Sequence, residues 1–576
     1  MRYRIIAAVT AAVMAAGLSG CGNEIRENTD VSVDMGLVTA DEDMTTEEET
    51  TAEETVTPVP EEVTEEEEVK SFKEVNIKAA ELKYEEFELT VEAEAGAISG
   101  TATGAESRKG FSGDGYVTGI TDEGDWSVSA EVPSEQYYNI VLTVAADEEA
   151  EAGLSINGKK LSEFSVSKEG KFEARIFHNI KLKKGENKLA VIPGSCRIDI
   201  DKVKITASEE ISKLKLTAKG AALSDKHAEY NAKALYKFLC DNFGSKVILA
   251  QNDTVGTSYE SDLLYSVTGK YPAIRLGDMM YVTGEENTDQ ANSEISEAMT
   301  RHENGAVIGY MWNWASPNKP DDRESVYAEN ADFDITKAVT KEDVALLDLD
   351  TLADMAESGD ISVECLQLIR DIDKVSAELG KLHDEGIPVL WRPLQEASNG
   401  MYWWGTDCDA YLWLWKTMYT RMTDYHGLHN LVWVWSAQNA NWFVGGEYCD
   451  VLSADIYGGG KDGQVNTLLY LQGIAGGKPI AMSECGSMPL IQSIADERAY
   501  WSYIGQWGGN YVVGEDGGLS QAYNTEEDLI TMYNNDLTIT QDKLPDFVTM
   551  ADEIKKSEEK AAKEKAEKEA EEDSED

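Results

Sequence analysis

Ile387-Pro388-Val389-Leu390-Trp391-Arg392-Pro393-Leu394-Gln395-Glu396-Ala397-Ser398-Asn399-Gly400-Met401-Tyr402-Trp403-Trp404-Gly405 carries a strand-like apolar run into a carboxylate and then into flat aromatic rings. A short continuous apolar run bounded by turn residues reads as a strand buried on both faces. Pro479-Ile480-Ala481-Met482-Ser483-Glu484-Cys485-Gly486 repeats the pattern and also ends on a glutamate. Working outward, runs of this kind recur at 247–251, 272–276, 307–312, 389–392, 431–435, 451–457 and 480–484, and more weakly at 502–507. Amphipathic helical runs lie between them, as at 362–382 and 410–425. Eight strands alternating with helices over 225–548 predict a (β/α)8 TIM barrel, whose chemistry gathers where strands end and loops begin. Trp312, Glu396, Tyr457 and Glu484 fall at such ends. A doubly wound open sheet is the alternative, but no G-x-G-x-x-G follows a strand.

The remaining sequence divides by composition. The chain has 576 residues, a formal charge of −56 and a pI near 4.4, so it is long enough for two to four units and poorly suited to nucleic acid. Residues 1–20 carry Arg2 and Arg4 ahead of an apolar run too short to span a bilayer, the pattern of a secretory signal peptide. Leu18-Ser19-Gly20-Cys21 resembles the bacterial lipobox, which implies cleavage before Cys21 and lipid attachment to it. The chain is therefore expected to be exported and held at the extracytoplasmic face of a bacterial membrane. Residues 21–80 read as a disordered acidic linker, and 552–576 as a charged tail that is a fraying helix or disordered. The other cysteines, 196, 240, 365, 408, 449 and 485, are scattered without C-x-x-C spacing, and their pairing stays open.

Between 84 and 207 short alternating runs are separated by Gly, Asn and Asp, the signature of a β-sandwich, with Asn157-Gly158 as a hairpin turn. Val91-Glu92-Ala93-Glu94, Gly110-Phe111-Ser112-Gly113-Asp114-Gly115-Tyr116-Val117, Leu182-Lys183-Lys184-Gly185-Glu186-Asn187 and Ile198-Asp199-Ile200-Asp201 make this stretch resemble carbohydrate-binding module family 35. The resemblance implies a structural calcium (Ca) ion held by Glu92, Glu94 and Asp201. From the residues alone, these acids read as solvated strand edges.

Two glutamates at strand ends beside aromatic rings suggest sugar chemistry. Cleaving a glycosidic bond needs one carboxyl to protonate the leaving oxygen and another to attack or to activate water, and indole faces suit the C–H faces of pyranose rings. None of the six histidines sits in an H-E-x-x-H pair, so zinc catalysis finds no support and no catalytic cofactor is expected.

The residues 391–405, together with Trp312-Asn313-Trp314-Ala315-Ser316-Pro317, Asp455-Ile456-Tyr457 and Ser483-Glu484-Cys485-Gly486, make the barrel segment resemble glycoside hydrolase family 26. The resemblance implies a retaining endo-β-1,4-mannosidase with Glu396 as acid/base, Glu484 as nucleophile and Tyr457 hydrogen-bonded to the nucleophile. Its substrate, a mannan, glucomannan or galactomannan, is expected to meet Trp312, Asn313, Arg392, Gln395, Trp403, Trp404, Trp442, Tyr457 and Trp507. Two positions depart from the family, which carries histidine where this chain has Asn313 and Gln395. An amide can keep a donor and an acceptor there but cannot take up a proton near neutral pH, so altered pH dependence or sugar preference is expected. The expected protein is a monomer with stalk, binding module and catalytic barrel. The alternatives are a β-glucanase or β-xylanase of the same family and a non-catalytic polysaccharide-capture lipoprotein.

Overall fold

The structure is a computed structural model that describes residues 71–575 apart from 195, 220–221, 284–287, 318–322 and 459. The signal peptide, Cys21 and residues 22–70 of the linker lie outside the described residues.

Eight parallel strands form the catalytic-side domain: β1 (Val247–Asn252), β2 (Ile274–Asp278), β3 (Val307–Met311), β4 (Val389–Arg392), β5 (Leu431–Trp435), β6 (Val451–Ile456), β7 (Ile480–Cys485) and β8 (Tyr503–Gln506). Each pairs with the next, and β1 pairs with both β8 and β2, so the sheet closes on itself as the TIM barrel the apolar runs predict. Nearly every strand residue is buried because helices cover the outside and packed side chains fill the inside, which is why these strands read as unbroken apolar runs rather than alternating ones. The predicted boundaries shift by one or two residues. Pro272, for example, falls outside β2 and forms an isolated bridge with Thr540.

Helix α1 (Val363–Asp384) starts where Ser362 accepts from the Cys365 amide at 3.0 Å. It buries Leu366, Ile369, Ile372, Val375, Leu379 and Leu382, a stripe at helical spacing. Helix α2 (Cys408–Thr420), capped by Asp407, runs into a π-helical turn at Arg421–Tyr425. There the fully buried Arg421 ion-pairs with Asp373 and bonds the carbonyls of Ala345 and Leu347, which fixes the widened turn.

Ahead of the barrel, antiparallel strands from Glu88 to Ala207 form two facing sheets around Trp126, Leu142, Leu154, Leu189 and Ile200. Asn157 and Gly158 both adopt positive φ, 53° and 85°, as a two-residue hairpin turn between antiparallel strands requires. This module is docked rather than tethered. Asn179 bonds Asn466 at 3.0 Å, Asn466 bonds the His178 carbonyl at 2.7 Å, and Tyr137 joins the barrel's own hydrophobic cluster. The segment leading into the barrel is buried too, at Ile211 and Leu216. The docking flank is formed by α3 (Val465–Ile474) and α4 (Ile491–Glu497), which follow β6 and β7.

One sequence expectation is corrected, and of the two alternatives for the tail the helical one is found. The linker expected to run disordered to residue 80 is instead laid on the barrel from Val75 onward: Val75 forms a bridge with Asn535, Ile77 N–H donates to Asp536 at 2.8 Å, and Ala80 N–H donates to Asp496 at 2.8 Å. The tail belongs to a helix, Phe547–Glu575, whose first turn packs Phe547 edge-on against Phe238 at 5.4 Å. Lys560–Glu564 and Lys563–Glu567 pair along it at i, i+4 spacing. Cys240, Cys365, Cys449 and Cys485 are free thiols.

Candidate active site

Arg392 ends β4, and its guanidinium lies between two acids from other strands. Nη1 donates to both oxygens of Asp455 on β6 at 3.0 and 2.9 Å, while Nη2 donates to Oε1 of Glu484 on β7. The arginine is buried, as are both acids, so the cation offsets charges that would otherwise be costly to enclose. Burial pushes the Asp455 carboxyl well above its ordinary range, against the pull of Arg392. Tyr457, one residue beyond β6, donates to Oε2 of Glu484 at 2.6 Å. Both oxygens of Glu484 therefore accept from the protein. The substrate contact expected of Arg392 is corrected by this geometry, since Asp455, Ser436 and Glu484 occupy its guanidinium.

After β4 the chain turns sharply, with Leu394 and Glu396 both at positive φ, 55° and 50°. Non-glycine residues rarely adopt this conformation, which costs energy and clusters at functional sites. The turn is pinned where Glu396 N–H donates to the Ser436 carbonyl at 3.0 Å. Gln438 and Asn399 approach the Glu396 carboxylate at 3.4 Å each. Burial, and then the negative charge of Glu484, push the Glu396 carboxyl up to about 7, with Arg392 opposing. Two buried carboxyl groups, one just beyond β4 and one on β7, thus lie near enough for the charge of one to act on the other. One holds its proton near neutrality and the other is held by donors, the division that acid and nucleophile require.

Asn313 and Gln395 contact each other: Gln395 Nε2 donates to Asn313 Oδ1 at 2.7 Å. Asn313 in turn donates through Nδ2 to Oδ2 of Asp278 at 2.8 Å and through its backbone to Oδ1 at 2.9 Å. Asp278 was not singled out from sequence; it ends β2 with no motif around it. Burial pushes its carboxyl up to about 7, opposed by these hydrogen bonds.

The expected tryptophan platforms divide into two groups. Trp312, Trp403 and Trp404 are each 0 % exposed, so the expectation that they stack on sugar is corrected. Trp312 stacks on Trp314 at 3.9 Å, Trp403 donates to the Trp314 carbonyl, and Trp404 donates to the Gln395 carbonyl at 2.9 Å. They form the rigid wall behind the site. Trp442 and Trp507 are only half-buried and keep surface to offer. Sequence reasoning missed Tyr402, half-buried and stacked on Trp404 at 4.6 Å. Burial and then the charges of Glu396 and Glu484 raise its phenol well above the ordinary value. Also missed was Tyr511, 5.5 Å from Tyr457; a Cβ on Gly486 would come within 2.6 Å of its ring, so glycine is needed there. Asp455 and Tyr402 stood inside the quoted motifs, which was the available signal.

In the module, Glu92 and Asp201 accept from Ser112 Oγ at 2.7 and 3.1 Å, and Glu94 accepts from the Asp114 amide at 3.1 Å. The three acids ring one loop, but their oxygens face its donors and do not fit a metal ion as placed. No group of three acid, histidine or cysteine side chains among the described residues could hold a metal ion.

Residues 224–543 match the profile of glycosyl hydrolase family 26, and residues 89–208 match carbohydrate binding module family 35. The chain is 29% identical over 469 residues to a mannan endo-1,4-beta-mannosidase of Thermothelomyces thermophilus, covering 79% of this chain and 90% of that one. It is 27% identical over 471 residues to mannan endo-1,4-beta-mannosidase B of Piromyces sp, covering 79% and 77%. Among solved structures, the GH26-CBM35 beta-(1,4)-mannanase of Podospora anserina superposes with a TM-score of 0.52 at 27% identity, covering 80% of this chain and 99% of that one.

Proposed function

Because the chain belongs to glycosyl hydrolase family 26, we propose that it is a retaining endo-β-1,4-mannanase in which Glu396 is the acid/base and Glu484 the nucleophile. The observation that carries the assignment of roles is the unequal treatment of the two carboxyls: Glu396 is pushed up to about 7, whereas Glu484 accepts from Arg392 and Tyr457. In the first step Glu484 attacks the anomeric carbon while Glu396 gives its proton to the leaving glycosidic oxygen, forming a glycosyl–enzyme ester and releasing the shortened chain. In the second step Glu396, now a carboxylate, takes a proton from water, whose oxygen attacks the same carbon and frees Glu484. Configuration is retained after two inversions. Catalysis uses no cofactor.

The test is the product pattern and anomeric form released from a defined β-1,4-mannooligosaccharide, run beside glucan and xylan, with Glu484→Ala as the blank. Internal cleavage with initial β-anomer supports the assignment; α-anomer would exclude the double displacement.

Export and lipid anchoring at Cys21, and action as a monomer, complete the reading. The anchor is supported by the Leu18-Ser19-Gly20-Cys21 motif and the apolar run before it. Labelling with a radioactive fatty acid, lost in Cys21→Ser, tests it. For the module, the family resemblance alone supports a calcium ion at Glu92, Glu94 and Asp201, whose oxygens would have to exchange their hydrogen bonds from Ser112 and Asp114 for the metal; a thermal midpoint unmoved by EDTA would exclude it. A docked module holds captured mannan-type polysaccharide at a set distance from the barrel, with less freedom than a flexible linker would leave.

A further inference from the structure

We propose that Gln438 and Asn399 hold the negative charge that appears on Glu396 each time it gives up its proton, an inference that rests on reading Glu396 as the acid/base. Each oxygen of that carboxyl faces one neutral amide. Gln438 Nε2 points at Oε1 and Asn399 Nδ2 points at Oε2, both from 3.4 Å. An ionised carboxylate accepts at both oxygens, and charge-assisted bonds of this kind shorten to about 2.7–2.9 Å. The longer spacing is that of donors waiting beside a carboxyl that still carries its proton. Hydrogen bonds to a catalytic acid or base commonly tighten only as the reaction proceeds.

Both amides are built into place. A backbone N–H can only donate, so the Asn399 atom that meets the Met401 N–H at 2.8 Å must be its oxygen, and its NH2 is left for Glu396. The Asn399 N–H closes the same turn on the Glu396 carbonyl at 3.1 Å. Gln438 comes from the exit of β5, where it is buried and held at φ 65°, a conformation that non-glycine residues keep only where the surroundings impose it. Two residues earlier, the Ser436 carbonyl accepts the Glu396 N–H at 3.0 Å, so one strand exit grips the acid/base by main chain and by side chain. Glu484, by contrast, is held by a cation and a phenol. A cation bound directly to Glu396 would strip it of the proton it must deliver, whereas two neutral donors favour the charged form without abolishing the other. Gln438 and Asn399 act through Glu396, so they are positioning residues.

The other ionisable groups that interact with Glu396 are Glu484 on β7, Asp455 on β6, Arg392 on β4 and the phenols of Tyr402 and Tyr457. All of them stay in place in the variants below, so a change in the titration of Glu396 belongs to the amides.

The test removes one donor at a time and reads pH profiles. Gln438→Met keeps the length of the side chain and deletes the NH2, while Asn399→Asp keeps the oxygen that serves Met401 and puts an acceptor where the NH2 stood. Each change withdraws support from ionised Glu396, so its proton is kept to higher pH. The alkaline limb of kcat/KM on a β-1,4-mannooligosaccharide is expected to move upward in both variants, with the thermal midpoint near wild type. A dinitrophenyl β-mannobioside has a leaving group that needs no proton, so its turnover isolates the second step, in which ionised Glu396 takes a proton from water. Its kcat near pH 6 is expected to fall about tenfold, and its acidic limb to move upward as well. A merely structural role would lower the rates and leave the limbs where they were. Limbs that stay at the wild-type pH, or move downward, in a folded variant overturn the proposal, and Asn399→Asp decides alone where Gln438→Met fails to fold. A wild-type protein inert on both substrates would sink the acid/base reading and this inference together; an active wild type with unmoved limbs in the variants sinks this inference only.

Discussion

Tyr457 donates its phenol hydrogen to Oε2 of Glu484 at 2.6 Å, while Arg392 holds the other oxygen of the same carboxylate. The two donors arrive from different strands, so the attacking group is aimed as well as charge-compensated. Tyr457→Phe keeps the ring that packs on Tyr511 and deletes only the hydroxyl. The expected outcome is a loss in kcat of about ten- to a hundredfold with little change in thermal midpoint, because the lost interaction acts on the reacting group. Wild-type kcat in this variant would remove Tyr457 from the mechanism.

Glu396 has its carboxyl pushed up to about 7 by burial and by Glu484. As the general acid it must carry a proton, so kcat/KM is expected to fall as pH rises through about 7. Glu484→Gln removes the second cause of the shift, and the Glu396 titration, followed by carbon NMR, is expected to move downward. A titration that does not move would show that the two groups do not share a space.

The same shift makes a stability prediction. The folded-state pKa lies above the unfolded value, so the native protein binds the extra proton between the two. Stability therefore falls as pH rises through that window, from about 4.3 for a free glutamate to about 7 here. Glu396→Gln removes the penalty, so its thermal midpoint should exceed wild type at pH 8 and match it near pH 4. Parallel midpoints at both pH values would contradict the burial.

The barrel was legible because each strand is buried on both faces and therefore stands out as an apolar run, and because a charged or polar residue, Asn252, Asp278, Arg392 or Gln506, ends four of the eight. The sandwich was legible for the opposite reason: its strands have one outward face and alternate, as Gly124–Val132 does. Orientation within the aromatic segment was not legible. Trp403 and Trp404 lie in a single 3-10 turn, where no period of two or 3.6 applies, so sequence could not tell wall from platform. Asp278 was invisible because a lone acid at a strand end looks like any cap. The docking of residues 75–82 was hidden by the acidic composition ahead of it, since their partners, Asp496 and Asn534 to Asp536, lie more than four hundred positions away.

The split among aromatic residues gives a paired prediction. Trp442→Ala and Trp507→Ala remove half-buried rings. Each is expected to raise KM for mannooligosaccharides severalfold while the thermal midpoint stays near wild type. Trp403→Ala instead empties a fully buried site and breaks the bond to the Trp314 carbonyl. Its cost is expected to be about 3–5 kcal/mol of folding stability. Equal midpoints across the three variants would mean that the wall and the platforms have been confused.

Arg392 supplies the last and most severe case. Its guanidinium is the shared partner of Asp455 and Glu484, and all three are buried. Arg392→Met keeps much of the volume but leaves two enclosed carboxylates facing each other without a cation. Removing one partner of a buried ion pair costs about 3–5 kcal/mol, and relief is available only by protonation. Protonation would take the charge from Glu484, the group that must attack. The variant is therefore expected to lose stability most at high pH, recover part of it as pH falls, and stay inactive throughout. The check is a thermal midpoint series from pH 4 to 8 beside a mannooligosaccharide assay. An active variant with wild-type stability at pH 8 would show that Arg392 does not hold the two acids together.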